Sequence, residues 1–137
     1  MKIDKTRIKK FLMEVKRDAM EIQEFLKRDL KDEMIVKVIK YNLIEIAEAS
    51  ANVLQHILAR DKAIASGGYM QTLEKAKEEK IISSFVYEGL KPFFKFRNAL
   101  IHRYWQIEDK FLMKEVKTNH KVFYKFTEEI EKYLSKN

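Results

Sequence analysis

Apolar residues return every three or four positions along the first part of the chain. Ile8, Phe11, Leu12, Val15, Ala19, Ile22 and Leu26 share one side of a helix, and Lys9, Lys16, Arg17 and Lys27 lie outside it. Asp4 suits the N-cap of this helix, and the stretch from Arg28 to Lys31 breaks it. Asp32 caps a second helix over roughly 33–59, with Ile35, Ile39, Leu43, Ile46, Ser50, Val53 and Ile57 as its core stripe. Beside that stripe run Tyr41, Asn42, Glu45, Ala49, Asn52 and His56, small and polar but without lysine. They read either as a partly buried polar seam or as a groove or subunit contact.

Asp61 to Gly68 reads as a loop. No strand precedes its Gly67-Gly68 pair, so the pair is a turn and not a phosphate cradle. Tyr69 to Lys80 predicts a short, charged and mostly exposed helix. Ser83 or Ser84 caps a segment running to about Tyr104, where Gly89 and Pro92 imply either a kink or a fresh helix with Pro92 in its first turn. After a turn over Gln106 to Asp109, Asp109 caps one last helix. Its inner stripe is Leu112, Val116, Phe123, Phe126, Ile130 and Leu134.

This pattern predicts an all-α fold, an up-and-down helical bundle of four long helices plus one short helix, in a single domain over residues 1–137. Three Gly and one Pro leave few corners for hairpins, and no segment alternates with a two-residue period. The absence of cysteine excludes disulfides and thiolate metal sites and fits a cytoplasmic location. No apolar run is long enough to span a bilayer, so no membrane association is expected. The formal charge of +7 favours a polyanionic partner, although lysine-rich solvated faces give the same total.

The richest chemistry lies in residues 91–105. Phe93, Leu100 and Tyr104 share one side of the helix with Arg97 among them, and Lys95, Asn98 and His102 fall on the other. An arginine on the apolar side must either hold an acid, Glu45 or Glu48 being the candidates, or face a cleft. A fixed cation, an imidazole and an amide close together are the groups that RNA cleavage requires. One group takes the proton from the 2′-hydroxyl, one protonates the departing 5′-oxygen, and a cation steadies the phosphorane. No metal or other cofactor is called for, and His56, His102 and His120 are too scattered to form a ligand set. Arg97 and His102 are five residues apart, so on one helix they point about 140° away from each other. A working site therefore needs two copies of this helix packed across a two-fold axis, with Phe94, Phe96 and Trp105 buried at the homodimer contact.

Arg97-Asn98-Ala99-Leu100-Ile101-His102-Arg103-Tyr104 resembles the Arg-x-x-x-x-His-x-Tyr signature of HepT-type toxins in the HEPN superfamily. The Phe-Arg-Asn opening, the helices before it and the chain length fit as well, so the likeness covers nearly the whole chain. The resemblance implies a dimeric, metal-independent endoribonuclease with its site in the cleft between protomers. It assigns Arg97 and His102 to RNA cleavage and Asn98 to their support. It also implies a toxin–antitoxin pair with a minimal nucleotidyltransferase of the MNT type, which silences the toxin by transferring AMP from ATP to Tyr104. Two other readings fit the same residues. One is a non-catalytic nucleotide-binding subunit of a nucleotidyltransferase complex, with Arg97 on a phosphate; the other is a structural dimer subunit, with Arg97 in a salt bridge.

Overall fold

The computed structural model describes residues 2–102 and 108–136. The Asp4 side chain starts the first helix by accepting the Arg7 N–H at 3.1 Å, which leads into α1, Lys5–Phe25. Asp32 repeats the device for α2, Glu33–Lys62, with its carboxylate 2.9 Å from the Met34 N–H. Ser83 does so for α4, Ser84–Ile101, and the Glu129 carboxylate in turn accepts from its N–H and hydroxyl at 2.8 and 2.7 Å. The order along the chain is α1, α2, α3 (Tyr69–Glu78), α4 (Ser84–Ile101), α5 (Asp109–Asn119) and α6 (Val122–Ser135).

Among the described residues every regular element is a helix, but there are six, not the expected four long and one short. The segment read as one final helix breaks in two at His120 and Lys121. The α5 ladder ends with the His120 N–H on the Val116 carbonyl at 2.9 Å, while the imidazole Nδ1 lies 3.0 Å from that carbonyl and 3.3 Å from Lys117's. The Phe123 N–H then bonds the His120 carbonyl at 3.1 Å, a tight turn, and α6 begins. Thr118, Asn119 and His120 are all weak helix formers that compete for nearby polar groups. Thr118 does so here, its hydroxyl donating to the Lys114 carbonyl at 2.9 Å.

Helix α2 is longer than its sequence pattern suggested and takes in Asp61 and Lys62. Ala63 stops it in the left-handed conformation, φ 55°, and both Ala63 and Ile64 donate their N–H to the Leu58 carbonyl. Helix α3 is also less exposed than expected: Thr72, Leu73 and Ala76 are buried.

Helices α1 and α2 pair antiparallel, tied at their ends by Asp4 with His56 and near the middle by Asp18 with Asn42. Helix α6 runs antiparallel to α1 through Lys16 with Glu131 and Gln23 with Tyr124. The Phe93 and Phe123 rings meet with centroids 5.0 Å apart between α4 and α6. Helix α4 has α2, α3 and α6 as neighbours, which buries more than one of its sides. Phe94 and Phe96 are accordingly 0% exposed inside the chain's own core, which corrects their expected place at a contact between copies. Trp105 lies outside the described residues. No described helix is long and apolar enough to cross a membrane.

Candidate functional site

Helix α4 carries Pro92 in its interior and continues past it, so no fresh helix starts there. Proline supplies no N–H to the carbonyl one turn earlier. The continuity holds Arg97 in register on the side of α4 that meets α2 and α3. Its Nη2 donates to Glu48 Oε2 on α2 at 3.1 Å, which selects Glu48 over Glu45 as the acid that meets it. Its Nη1 reaches Asn98 Oδ1 at 3.5 Å, and its Cζ lies 4.1 Å from the centroid of the Tyr69 ring at the start of α3. Tyr69 leans on Phe94, with centroids 6.0 Å apart.

The Arg97 side chain is 19% exposed and that of Glu48 41%. With one partner so open to water, the ion pair adds only about 0.2–1 kcal/mol to stability. Its stronger effect is on orientation. The Arg97 Nε–H is buried without an acceptor, at a cost of roughly 1–3 kcal/mol. The surroundings therefore fix the guanidinium plane more than they satisfy its donors. Burial raises the Tyr69 hydroxyl above its ordinary value, with Arg97 opposing and Glu48 adding to the shift, so the ring is a neutral phenol at pH 7.

His102 stands at the C-cap of α4, exposed, with its backbone N–H on the Asn98 and Leu100 carbonyls. The structure thus joins Arg97 and Asn98 but sends the two expected chemical groups in different directions. Arg97 faces inward between α2 and α3, and His102 is exposed at the helix end. Tyr104, the expected AMP acceptor, lies outside the described residues, as does Arg103.

The lysine-poor stripe on α2 is largely a polar seam. Asn42, 1% exposed, donates to Asp18 Oδ1 at 3.0 Å and to Glu21 Oε1 at 2.8 Å. Asp18 Oδ2 is buried without a hydrogen-bond partner, and burial together with the neighbouring Glu45 carboxyl favours its protonated form. Burial first, and Glu45 next, push Asp18 up to about 7. Glu45 also takes the hydroxyl of exposed Tyr41, whose ionisation is pushed upward as a result. At the far end of the seam, His56 Nε2 accepts the Asp4 N–H at 2.9 Å.

Two residues of this region escaped the sequence reading. Tyr69 sits in a helix that looked exposed, and only the packing of α3 on α4 brings it to Arg97. Asp18 occupies the edge of the α1 core stripe, and its break in an otherwise apolar set was the one available signal.

The sequence model of the ribonuclease HepT-like family matches residues 7–130. No curated protein matches the chain. Among solved structures, the cytosolic protein of unknown function YutE from Bacillus subtilis superposes with a TM-score of 0.86 at 16% identity, over 98% of this chain and 92% of that one. A tri-AMPylated HEPN toxin from Shewanella oneidensis, in complex with an MNT antitoxin, gives a TM-score of 0.83 at 19% identity over 91% of this chain and 96% of the other. A toxin–antitoxin structure with AMP-PNP gives 0.82 at 18% identity over 92% and 98%. At such identities these superpositions establish the shared fold, and the family match, which spans most of the chain, carries the assignment: this chain belongs to the ribonuclease HepT-like family.

Proposed function

We propose that the chain is the toxin of a HepT/MNT-type pair, a metal-independent endoribonuclease that acts as one domain over residues 1–137 and as a homodimer. Its RNA-cleaving site joins Arg97 of one protomer to His102 of the other, with Asn98 supporting the arginine. The observation that carries this reading is the clamped guanidinium of Arg97, inside the region matched by the ribonuclease family, on the same helix as an exposed His102. A cation held in a fixed plane is what a phosphorane needs, because the stabilising group then pays no reorganisation as charge develops. The divergence of Arg97 and His102 along one helix supports a site shared between two copies. A two-fold cleft offers two imidazoles and two guanidinium groups. One imidazole takes the 2′-hydroxyl proton as the 2′-oxygen attacks phosphorus. The other gives a proton to the 5′-oxygen as its bond to phosphorus breaks, leaving a cyclic phosphate.

The partner is a nucleotidyltransferase antitoxin of the MNT type, by analogy with the Shewanella oneidensis complex. Transfer of AMP from ATP to the Tyr104 hydroxyl, with loss of pyrophosphate, would place a negative phosphodiester two residues from His102 and repel RNA. Such a pair works in the cytosol, where YutE is also found.

Cleavage of a synthetic RNA by the parent, Arg97→Ala and His102→Ala tests the reading, with dimer mass followed by sedimentation. Both variants should remain folded and dimeric and lose cleavage, and a chelator should leave the parental rate unchanged. Parental cleavage by both variants would overturn the site. The ion pair of Arg97 with Glu48 also favours a second reading, a structural role for the arginine. In that case Arg97→Ala lowers the melting temperature and leaves RNA cleavage intact.

A further inference from the structure

The geometry points to Tyr69 and Glu48 as positioning residues for Arg97, Tyr69 setting the plane of its guanidinium and Glu48 damping its charge until RNA arrives. This inference rests on the cleavage role proposed for Arg97 and adds two residues from helices outside the motif.

A guanidinium is planar, with five N–H donors in fixed directions, and it recognises phosphate through in-plane pairs. A long arginine side chain on a helix surface samples many rotamers, so its plane must be fixed if those donors are to meet a phosphorane. Three contacts fix it here. The Tyr69 ring covers one face, 4.1 Å from Cζ. Glu48 holds Nη2 at 3.1 Å. The third constraint is burial of Nε, which closes that edge to solvent. Nη1 is the least engaged donor of the three nitrogens that has a partner at all, with only the 3.5 Å contact to Asn98, and it is the edge left for a phosphate oxygen. Tyr69 is itself held firmly: it opens α3, its ring rests on Phe94, and Phe94 is fully buried.

Glu48 plays a different part from Tyr69. Its carboxylate, 41% exposed to water, offsets the charge of an arginine that is itself 19% exposed. The pair thus trades general attraction to RNA for a defined orientation. Removing the charge while keeping the acceptor should tighten binding, and removing the aromatic face should loosen orientation. The two changes should therefore move different kinetic constants.

The test is steady-state cleavage of a synthetic RNA by the homodimer carrying Tyr69→Leu, Tyr69→Phe or Glu48→Gln, with Arg97→Ala in parallel and folding checked by circular dichroism. Tyr69→Leu should lower kcat roughly 10- to 100-fold with KM little changed, as expected for misplacing a catalytic cation. Tyr69→Phe keeps the ring face and should match the parent. Glu48→Gln should lower KM about 2- to 5-fold and steepen the salt dependence, because one positive charge is released toward phosphate. Parental kcat in Tyr69→Leu, an equal loss in Tyr69→Phe, or an unchanged KM in Glu48→Gln would each overturn the inference. Should Tyr69→Leu fail to fold, the KM of Glu48→Gln and the kcat of Tyr69→Phe still decide it. An inactive Arg97→Ala beside a parental Tyr69→Leu would sink this inference alone. A fully active Arg97→Ala would sink the cleavage role of Arg97 and this inference with it.

Discussion

Gly89 of α4 lies so close to Val122 of α6 that a Cβ built on it would stand 2.4 Å from the valine Cγ2. The glycine is not a break in the helix but the point where α6 is let in against it. The same approach brings Phe93 onto Phe123 one turn further along α4. Gly89→Ala gains about 1 kcal/mol of helix propensity, but overpacking costs about 1–3 kcal/mol, and a branched valine has little room to retreat. The variant should be less stable than the parent in urea denaturation. Adding Val122→Ala should recover part of the loss, since it removes the clashing methyl groups. A more stable Gly89→Ala would show that α6 shifts freely, contrary to the tight approach seen here.

Much of the fold is local and was readable as such. The caps at Asp4, Asp32 and Ser83 each accept an N–H two or three residues on, so sequence alone located the first two and narrowed the third to Ser83 or Ser84. The stripe containing Val116 and Phe123 misled because a seven-residue spacing is the same for one helix and for two joined by a tight turn at His120. Phe94 and Phe96 misled for a tertiary reason. A helical wheel gives one core side, yet α4 packs against three helices, so residues off the main stripe are still interior. Arg97 was legible as a charge on an apolar side, and the choice of acid narrowed to Glu45 or Glu48. Selecting Glu48 and finding Tyr69 required the crossing of α2, α3 and α4.

Asp18, buried beside Glu45, makes stability depend on pH. Asp18 is 2% exposed; burial and Glu45 push it to about 7, Asn42 and Arg17 pull the other way, and its ordinary value is 3.8. Its folded value is the higher one, so between the two the native chain keeps a proton that the unfolded chain has released. This group's contribution is therefore full below about pH 4 and falls until about pH 7, by an amount on the order of 4 kcal/mol. Asp18→Asn supplies an N–H to Glu45 and keeps an oxygen for Asn42, so it should remove that slope and stabilise the protein at pH 8. Urea midpoints from pH 5 to 8 for parent and variant would show it. Parallel curves for the two proteins would count against a raised Asp18.

His56 works in the opposite direction. Burial lowers its ionisation below the ordinary 6.5, Arg60 and Arg7 add to the effect, and Asp4 opposes it. The folded chain then resists a proton that the unfolded chain accepts, so this contribution is lost as pH falls through 6.5 toward the folded value. Protonation also removes the Nε2 lone pair that accepts the Asp4 N–H and so weakens the start of α1. His56 should titrate below 6.5 by NMR, and the Asp4 amide should exchange faster at pH 5.5 than at pH 7 once intrinsic rates are divided out. His56→Gln keeps an acceptor at all pH values and should flatten that dependence. A His56 midpoint at or above 6.5 would rule the arrangement out.

Arg97→Lys separates charge from shape at the site. Lysine keeps the positive charge and an ammonium within reach of Glu48, but it has no plane to lay against Tyr69 and no paired donors for a phosphate. If charge alone served the reaction, the variant would cleave RNA as the parent does. The clamp around the guanidinium argues otherwise, and cleavage should fall about 10- to 100-fold. Stability should change by less than about 1 kcal/mol, because Glu48 is 41% exposed and its ion pair is weak in either form. Measuring cleavage and thermal unfolding on one preparation tells the two effects apart. A large loss of stability with cleavage intact would make Arg97 a strut between α2 and α4, and full activity in the lysine variant would mean that orientation by Tyr69 has no bearing on the reaction.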